Sequence, residues 1–408
     1  MAKEGYKRLA ALLTAGALTA GMCCGAALAA DAPQAQEETQ LSVQTGAVSF
    51  DQLGESIRAG NYTVLALEEN IATIEALDYD KIADDTRNGI NALASYQWFM
   101  SRMGQSLAAQ SVKAQYDALR ETFDDLKDGT IEKENADVVR QLRNAQDQVV
   151  MAGESLYIAL VELERNDASL DRSLAAMDRT VQEMELRHSL GQISDLTLQQ
   201  VKGGRVSLSS GQQTLEMNIG TMKLQLEMLL GAPLTGTVQL QQLPQVSDEQ
   251  LDAMDLEADL AAAKDRSFSL YDAKKTLDDA EETFRDTGKN YTHNKKDYRY
   301  VQAQHTWQAA QYTYQATVQS FEGSFRTLYA QVKNYRQVLD AAQTALALEE
   351  ANYAAIQLKY DQGAISQNAL LSAQDDVAAA RDTVEGAAID LFSAYHSYRW
   401  AVDYGILN

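Results

Sequence analysis

Proline is nearly missing: the 408 residues hold three, at Pro33, Pro233 and Pro244. The stretches 34–232 and 245–408 contain none. A sandwich, barrel or α/β enzyme of this length needs many turns, and turns recruit proline and glycine for their fixed or positive φ. Aromatics are scarce at 7% and there are four histidines. Both cysteines, Cys23 and Cys24, lie near the start. What remains is rich in Ala, Gln, Leu, Asp and Glu, the composition of long helices.

The first thirty residues read as a secretory signal peptide. Lys3, Lys7 and Arg8 give a basic start, an apolar run extends from Leu9 to Leu28, and Ala27-Leu28-Ala29 is a small-x-small cleavage pattern. Cys23 as a lipid anchor is a weaker reading, because Ala20-Gly21-Met22 is a poor lipobox. Cleavage removes both thiols, which excludes disulfides, thiol catalysis and cysteine-bound metal from the mature chain. It also removes three basic residues and one acid, taking the net charge from −23 to −25. Such a chain repels nucleic acid and anionic headgroups. Two readings of the acidity stand: solvated helix faces, or a cation-favouring lumen. Residues 31–48 are polar and aperiodic, a flexible leader. Order is expected from Ser49, a candidate N-cap.

Apolar residues then recur in steps of three and four. Leu156, Leu160, Leu163, Leu170, Leu174, Met177, Val181 and Met184 form one heptad seam, with Asp167 as its polar slot. Leu208, Leu215, Ile219, Met222, Leu226 and Leu229 continue beyond Gly191. A second pair flanks Gly363: Val332 to Tyr360 before it, Leu370 to Ala401 after it. As one helix, residues 133–188 would extend about 84 Å. The expected fold is all-α, built from long, coiled-coil-like antiparallel helical hairpins. It is internally duplicated. Leu156-Tyr157, Gly191 and Ile193-Ser194 recur 172 residues on as Leu328-Tyr329, Gly363 and Ile365-Ser366. Tyr116-Asp117-Ala118 matches Tyr271-Asp272-Ala273 at an offset of 155, which gives the second copy 17 extra residues between these anchors and puts an insertion of roughly fifty residues ahead of Tyr116 in the first copy. The divisions are then 49–234 and 251–408, joined by a linker over 235–250.

The two hairpin turns carry matched chemistry. Gly191-Gln192-Ile193-Ser194 and Gly363-Ala364-Ile365-Ser366 each place a glycine where a helix ends in the left-handed conformation, and a serine to cap the next. They read either as ordinary turns or as docking tips that present an isoleucine. Tyr360-Asp361-Gln362-Gly363, the first-repeat ending Leu229-Leu230-Gly231-Ala232-Pro233-Leu234, and the opening Ser49-Phe50-Asp51-Gln52-Leu53 resemble the TolC family of outer-membrane efflux proteins. The resemblance covers most of the mature chain and is specific over 154–234 and 326–405. It implies a passive duct made by a homotrimer, which docks through its tips to a periplasmic adaptor and an inner-membrane pump in efflux or type I secretion. It also implies an outer-membrane or envelope location, no cofactor and no catalysis. The family places two β-strands in each repeat, which here would fall near Gly129 and Gly288. The region around Gly129 lacks the roughly ten-residue alternation of a membrane strand; beyond Gly288 strand residues are possible, but Asn294-Lys295-Lys296-Asp297 is a poor lipid-facing sequence, so an all-helical, barrel-less relative is expected. The aromatic stretch from Gly288 to Tyr314 reads as a polar loop entering an aromatic helix, or as an interfacial belt.

His188, His293, His305 and His396 show no metal spacing, and no nucleophile or phosphate-loop motif is present. Asp375-Asp376, three turns past Gly363, is a candidate ring of acids at a duct mouth. A helical spacer of the cell envelope is the alternative to the duct.

Overall fold

A computed structural model describes residues 47–291 and 294–407. The signal peptide, both cysteines, almost all of the leader and His293 lie outside the described residues. Within them are eleven helices: α1 (Phe50–Gly60), α2 (Tyr62–Glu75), α3 (Tyr79–Arg102), α4 (Ser106–Lys127), α5 (Thr130–Ser189), α6 (Asp195–Leu229), α7 (Asp248–Asp252), α8 (Leu256–Arg266), α9 (Phe268–Asn290), α10 (Tyr298–Asp361) and α11 (Gln367–Tyr404). No strand forms among the described residues beyond one parallel bridge between Val48 and Leu240. No described helix is long and apolar enough to cross a membrane. With no proline to break it and only Gly323 inside it, α10 runs 64 residues, about 96 Å.

Two compact units divide the chain, 58–149 and 43–57 with 150–408. In the first, α2 lays Leu67, Ile71 and Ile74 against Val139 and Leu142 at the start of α5. Gln146 donates to the Val64 carbonyl at 3.2 Å and to Glu68 at 2.9 Å, so this buried amide is satisfied. The hairpin α3–α4 follows, with a tight fit where a Cβ on Gly89 would meet Leu119 at 3.2 Å.

In the second unit the long helices touch in the order α6, α5, α11, α10. Helices α5 and α6 are antiparallel and bridged by Lys223–Glu164, Gln212–Asp171, Arg205–Asp178 and Lys202–Glu185, all at 2.5–2.6 Å. Arg381–Glu350 joins α11 to α10 at 2.9 Å. Between the hairpins, α5 meets α11 through a polar ladder of heptad spacing. Arg165 donates to the Asp382 carbonyl at 2.7 Å, Arg172 pairs with the Asp382 carboxylate, Arg179 pairs with Asp375, and Asn368 donates to Glu183. Gly386 makes room for the first rung, since a Cβ there would stand 2.7 Å from an Arg165 guanidinium nitrogen. Every apolar residue of the α11 seam is buried or half-buried. Its C-terminal half, Leu391, Ala394, Tyr398, Ala401 and Val402, joins Leu260 and Leu270 of α8 and α9 and Phe325 and Val332 of α10 in one core. The Tyr398 hydroxyl, pushed well above its ordinary pKa by burial and by its bond to Asp259, remains a donor.

The connection after α6 is held by two buried polar anchors. The Glu227 carboxylate, 3% exposed, accepts from the amides of Thr235, Gly236, Thr237 and Val238 and from the Thr235 hydroxyl, at 2.6–3.2 Å. Tyr157, fully buried, puts its hydroxyl 2.8 Å from both the Val48 and Gln241 carbonyls and accepts from Gln241 N–H at 2.9 Å. Tyr157→Phe removes the donor of the Gln241 carbonyl, while the Gln241 N–H still bonds the Val48 carbonyl at 3.0 Å; a loss of about 1 kcal/mol is expected from urea unfolding.

Three expectations need correction. The linker drawn to residue 250 ends at Ser247, where a capping box with Gln250 starts α7. The insertion in the first copy is not confined to the residues ahead of Tyr116. Helices α1 and α8 are both eleven residues, and each is followed by one buried capping residue, Asn61 or Ser267. These caps lie 206 apart and the tip glycines 172 apart, so the first copy carries 34 more residues between cap and tip. The α3–α4 hairpin falls in that interval, and Tyr116 is part of it. Gly288 does not open the polar loop but lies within α9, which ends at Asn290; described residues 294–297 lead into the aromatic start of α10.

Candidate docking tips

Each long hairpin closes with the same backbone device. At the first, Gly191 has φ +74°, its N–H bonds the His188 carbonyl at 2.8 Å, and the Gln192 N–H bonds Arg187 at 2.8 Å. At the second, Gly363 has φ +72°, and the N–H groups of Gly363 and Ala364 bond Tyr360 and Lys359 at 2.8 and 2.9 Å. This is the Schellman arrangement, which satisfies the last helix carbonyls and requires a residue tolerant of positive φ. Ser194 then caps α6 by accepting from Thr197 N–H, and Ser366 caps α11 by accepting from Ala369 N–H. His188 stands 3.1 Å from Asp195 across the first turn. The Asn368–Glu183 bond of 3.1 Å sets the two tips side by side.

Gln192, Ala364, Ser194 and Ser366 are exposed and Tyr360 is half-buried. The isoleucines are not the presented groups: Ile193 and Ile365 are both half-buried. Each occupies the position before the cap, with a leucine at the fourth helical position, Leu198 (buried) or Leu370 (half-buried). Those are the two places a hydrophobic staple joins. The exposed apolar side chains here are Leu186, Leu190 and Leu196 at the first tip and Leu358 at the second, which sequence reasoning did not single out. Asp375 is no free mouth acid either, because Arg179 pairs with it.

No protein-family model matches the chain, and no curated sequence is similar to it. Solved structures are similar. CusC, described through transmembrane channel formation, aligns at 17% identity and TM-score 0.51 over 78% of this chain and 96% of its own. A membrane protein from Pseudomonas aeruginosa aligns at 13% identity and TM-score 0.50 over 85% of this chain and 90% of its own. The chain has a TolC-like fold. Within that fold the described residues are nearly all helical and form no barrel strands, as the lack of alternation around Gly129 predicts.

Proposed function

We propose that three copies of this TolC-like chain form a passive exit duct of the cell envelope. In this reading the adjacent tips, Gly191–Ser194 and Tyr360–Ser366, dock onto a periplasmic adaptor that connects to an inner-membrane pump. The observation that carries the reading is the pair of matched, rigidly capped turns ending two long hairpins, in a fold shared with channel-forming CusC. Helices α6 and α10 end the order of contact and leave apolar side chains exposed: Val206 and Met217 on α6, Val338 and Leu348 on α10. A neighbouring copy would cover them. The duct carries out no reaction; it lowers the barrier to exit by excluding lipid and wall from the path.

The α3–α4 helices, standing where channels of this fold carry strands, favour a second reading, a solid helical spacer with partners at its tips. Electron microscopy of the purified chain separates the two: a hollow trimeric cylinder supports the duct, a solid rod or monomer the spacer. The tips have their own test. Gly191→Val with Gly363→Val imposes a strained φ of about 1–2 kcal/mol at each turn. Leu190→Asp with Leu358→Asp puts charge on the exposed tip surface without touching the backbone. Both pairs are expected to abolish adaptor pull-down while helicity and oligomeric state stay unchanged. Binding as in the unaltered chain would reduce these loops to simple turns.

A further inference from the structure

We propose that the end of the α3–α4 hairpin docks onto an anionic lipid surface. The hairpin turns at Met103-Gly104-Gln105, with Gly104 at φ +74°. Beside the exposed Ser101, Gln105 and Ser106, five large apolar side chains are exposed there: Leu107 at 82%, Met103 at 63%, Trp98 at 62%, with Phe99 and Tyr96 about half exposed. They are ordered along the axis. Met103 lies at the turn and Leu107 one turn into α4. Trp98 is five residues back, about 7.5 Å, and Tyr96 lies behind it. Apolar residues at the extremity with aromatic rings and a cation behind match the layering of a bilayer interface, which side chains enter to about 5–10 Å.

The backbone suits that setting. Gly104 N–H bonds the Ser101 carbonyl at 3.2 Å, Gln105 N–H bonds Met100 at 3.1 Å, and Ser106 N–H bonds Gly104 at 3.1 Å. The turn therefore enters a poorly hydrated layer with these groups already paired.

Charge points the same way. The chain has 58 acids in 408 residues, yet residues 88–116 contain none, where the average density would give about four. The charged residues in that stretch are Arg102 and Lys113. The Arg102 guanidinium lies over the Trp98 ring, 5.2 Å from its centroid, a pairing that keeps a cation at the level of the headgroups. A chain of net charge −23 is repelled by an anionic membrane; this end has shed its acids and gained an apolar point.

Flotation of the full chain with vesicles tests this, using equal parts phosphatidylcholine and phosphatidylglycerol against phosphatidylcholine alone. The unaltered chain is expected to float with the mixed vesicles. Trp98→Ser/Phe99→Ser/Met103→Ser should cut the bound fraction about tenfold with helicity unchanged. Arg102→Glu should weaken binding to the mixed vesicles and leave the neutral ones unaffected. Brominated acyl chains should quench tryptophan emission, and the quenching should vanish in Trp98→Phe. Four results would overturn the proposal: no flotation on either vesicle, flotation of the triple variant like the parent, quenching that survives Trp98→Phe, or Trp98 shielded without lipid as protein concentration rises. The last would assign the surface to a second copy.

Discussion

Among the described glycines, Gly405→Ala is expected to be the most destabilising added methyl, lowering stability by about 3–5 kcal/mol. Gly405 ends α11 at φ +66°, with its N–H bonded to the Ala401 carbonyl at 3.0 Å. A Cβ built there would stand 2.4 Å from Ser267 N, 2.5 Å from Ser267 Cα and 2.6 Å from the Arg266 carbonyl carbon. All three are backbone atoms at the α8–α9 junction, where Ser267 is 1% exposed and Arg266 donates to the Val402 carbonyl. They cannot swing away as a side-chain end can. Gly363→Ala is the control. It has the same sign of φ, +72°, with nothing within 4 Å of the added carbon, so it should cost only the left-handed penalty of about 1 kcal/mol. Urea midpoints of the two variants read the difference. Equal losses would mean that the contact at the end of α11 is looser than described.

The second large effect belongs to Glu227. Burial pushes this carboxyl up, but the amides and hydroxyl of Gly236, Thr235 and Thr237 outweigh it and hold the group below the usual carboxylate range. Glu227→Ala strands those donors and should cost about 3 kcal/mol at neutral pH. Because the folded value is depressed, the stabilisation is complete above the unfolded carboxylate pKa of about 4.3 and is lost as pH falls through the folded value. The stability gap between the parent chain and Glu227→Gln should therefore be widest at neutral pH and narrow on acidification. A gap that stays constant from pH 7 to pH 3 would show that charge is not what binds the loop.

The long hairpins were legible because their cores are written in aliphatic residues at heptad spacing. The seam from Leu156 to Met184 lies in one helix, and Gly191 and Gly363 stand where the helices stop. The α3–α4 hairpin was not legible in the same way. Only Ala83 and Thr86 of α3 and Val112 of α4 are buried, so no apolar stripe marks it, and its largest apolar residues point outward. The Arg165–Arg172–Arg179 ladder was hidden for another reason. Its partners lie about 200 residues away, and charges spaced by seven read equally well as solvated faces. At the tips, Ile193 and Ile365 looked like bait because a lone isoleucine in a turn has two uses, and the fold spends it on stapling the next helix.

A rack with evenly spaced teeth engages equally well one tooth along, and the ladder between α5 and α11 has that property. Its charged rungs repeat every seven residues on both helices, so a slide of one heptad, about 10.5 Å, would set Arg172 against Asp375 and Arg165 against Asp382 and keep two ion pairs, while Arg179 would face Asn368 and the Asn368–Glu183 bond would be lost. These ion pairs therefore fix the rotation of α5 on α11 but not, by themselves, their position along the axis. Position depends on the uneven teeth: Glu154 on α5, which accepts from the Trp400 indole at 2.7 Å and stands 3.0 Å from His396 on α11, and Gly386 beside Arg165. A Cβ at Gly386 would crowd the Arg165 guanidinium and make it shift; seven residues either way stand Ala379 and Ser393, each of which carries one. Together with the Asn368–Glu183 bond, these uneven contacts keep the two hairpins, and the tips at their ends, level with each other.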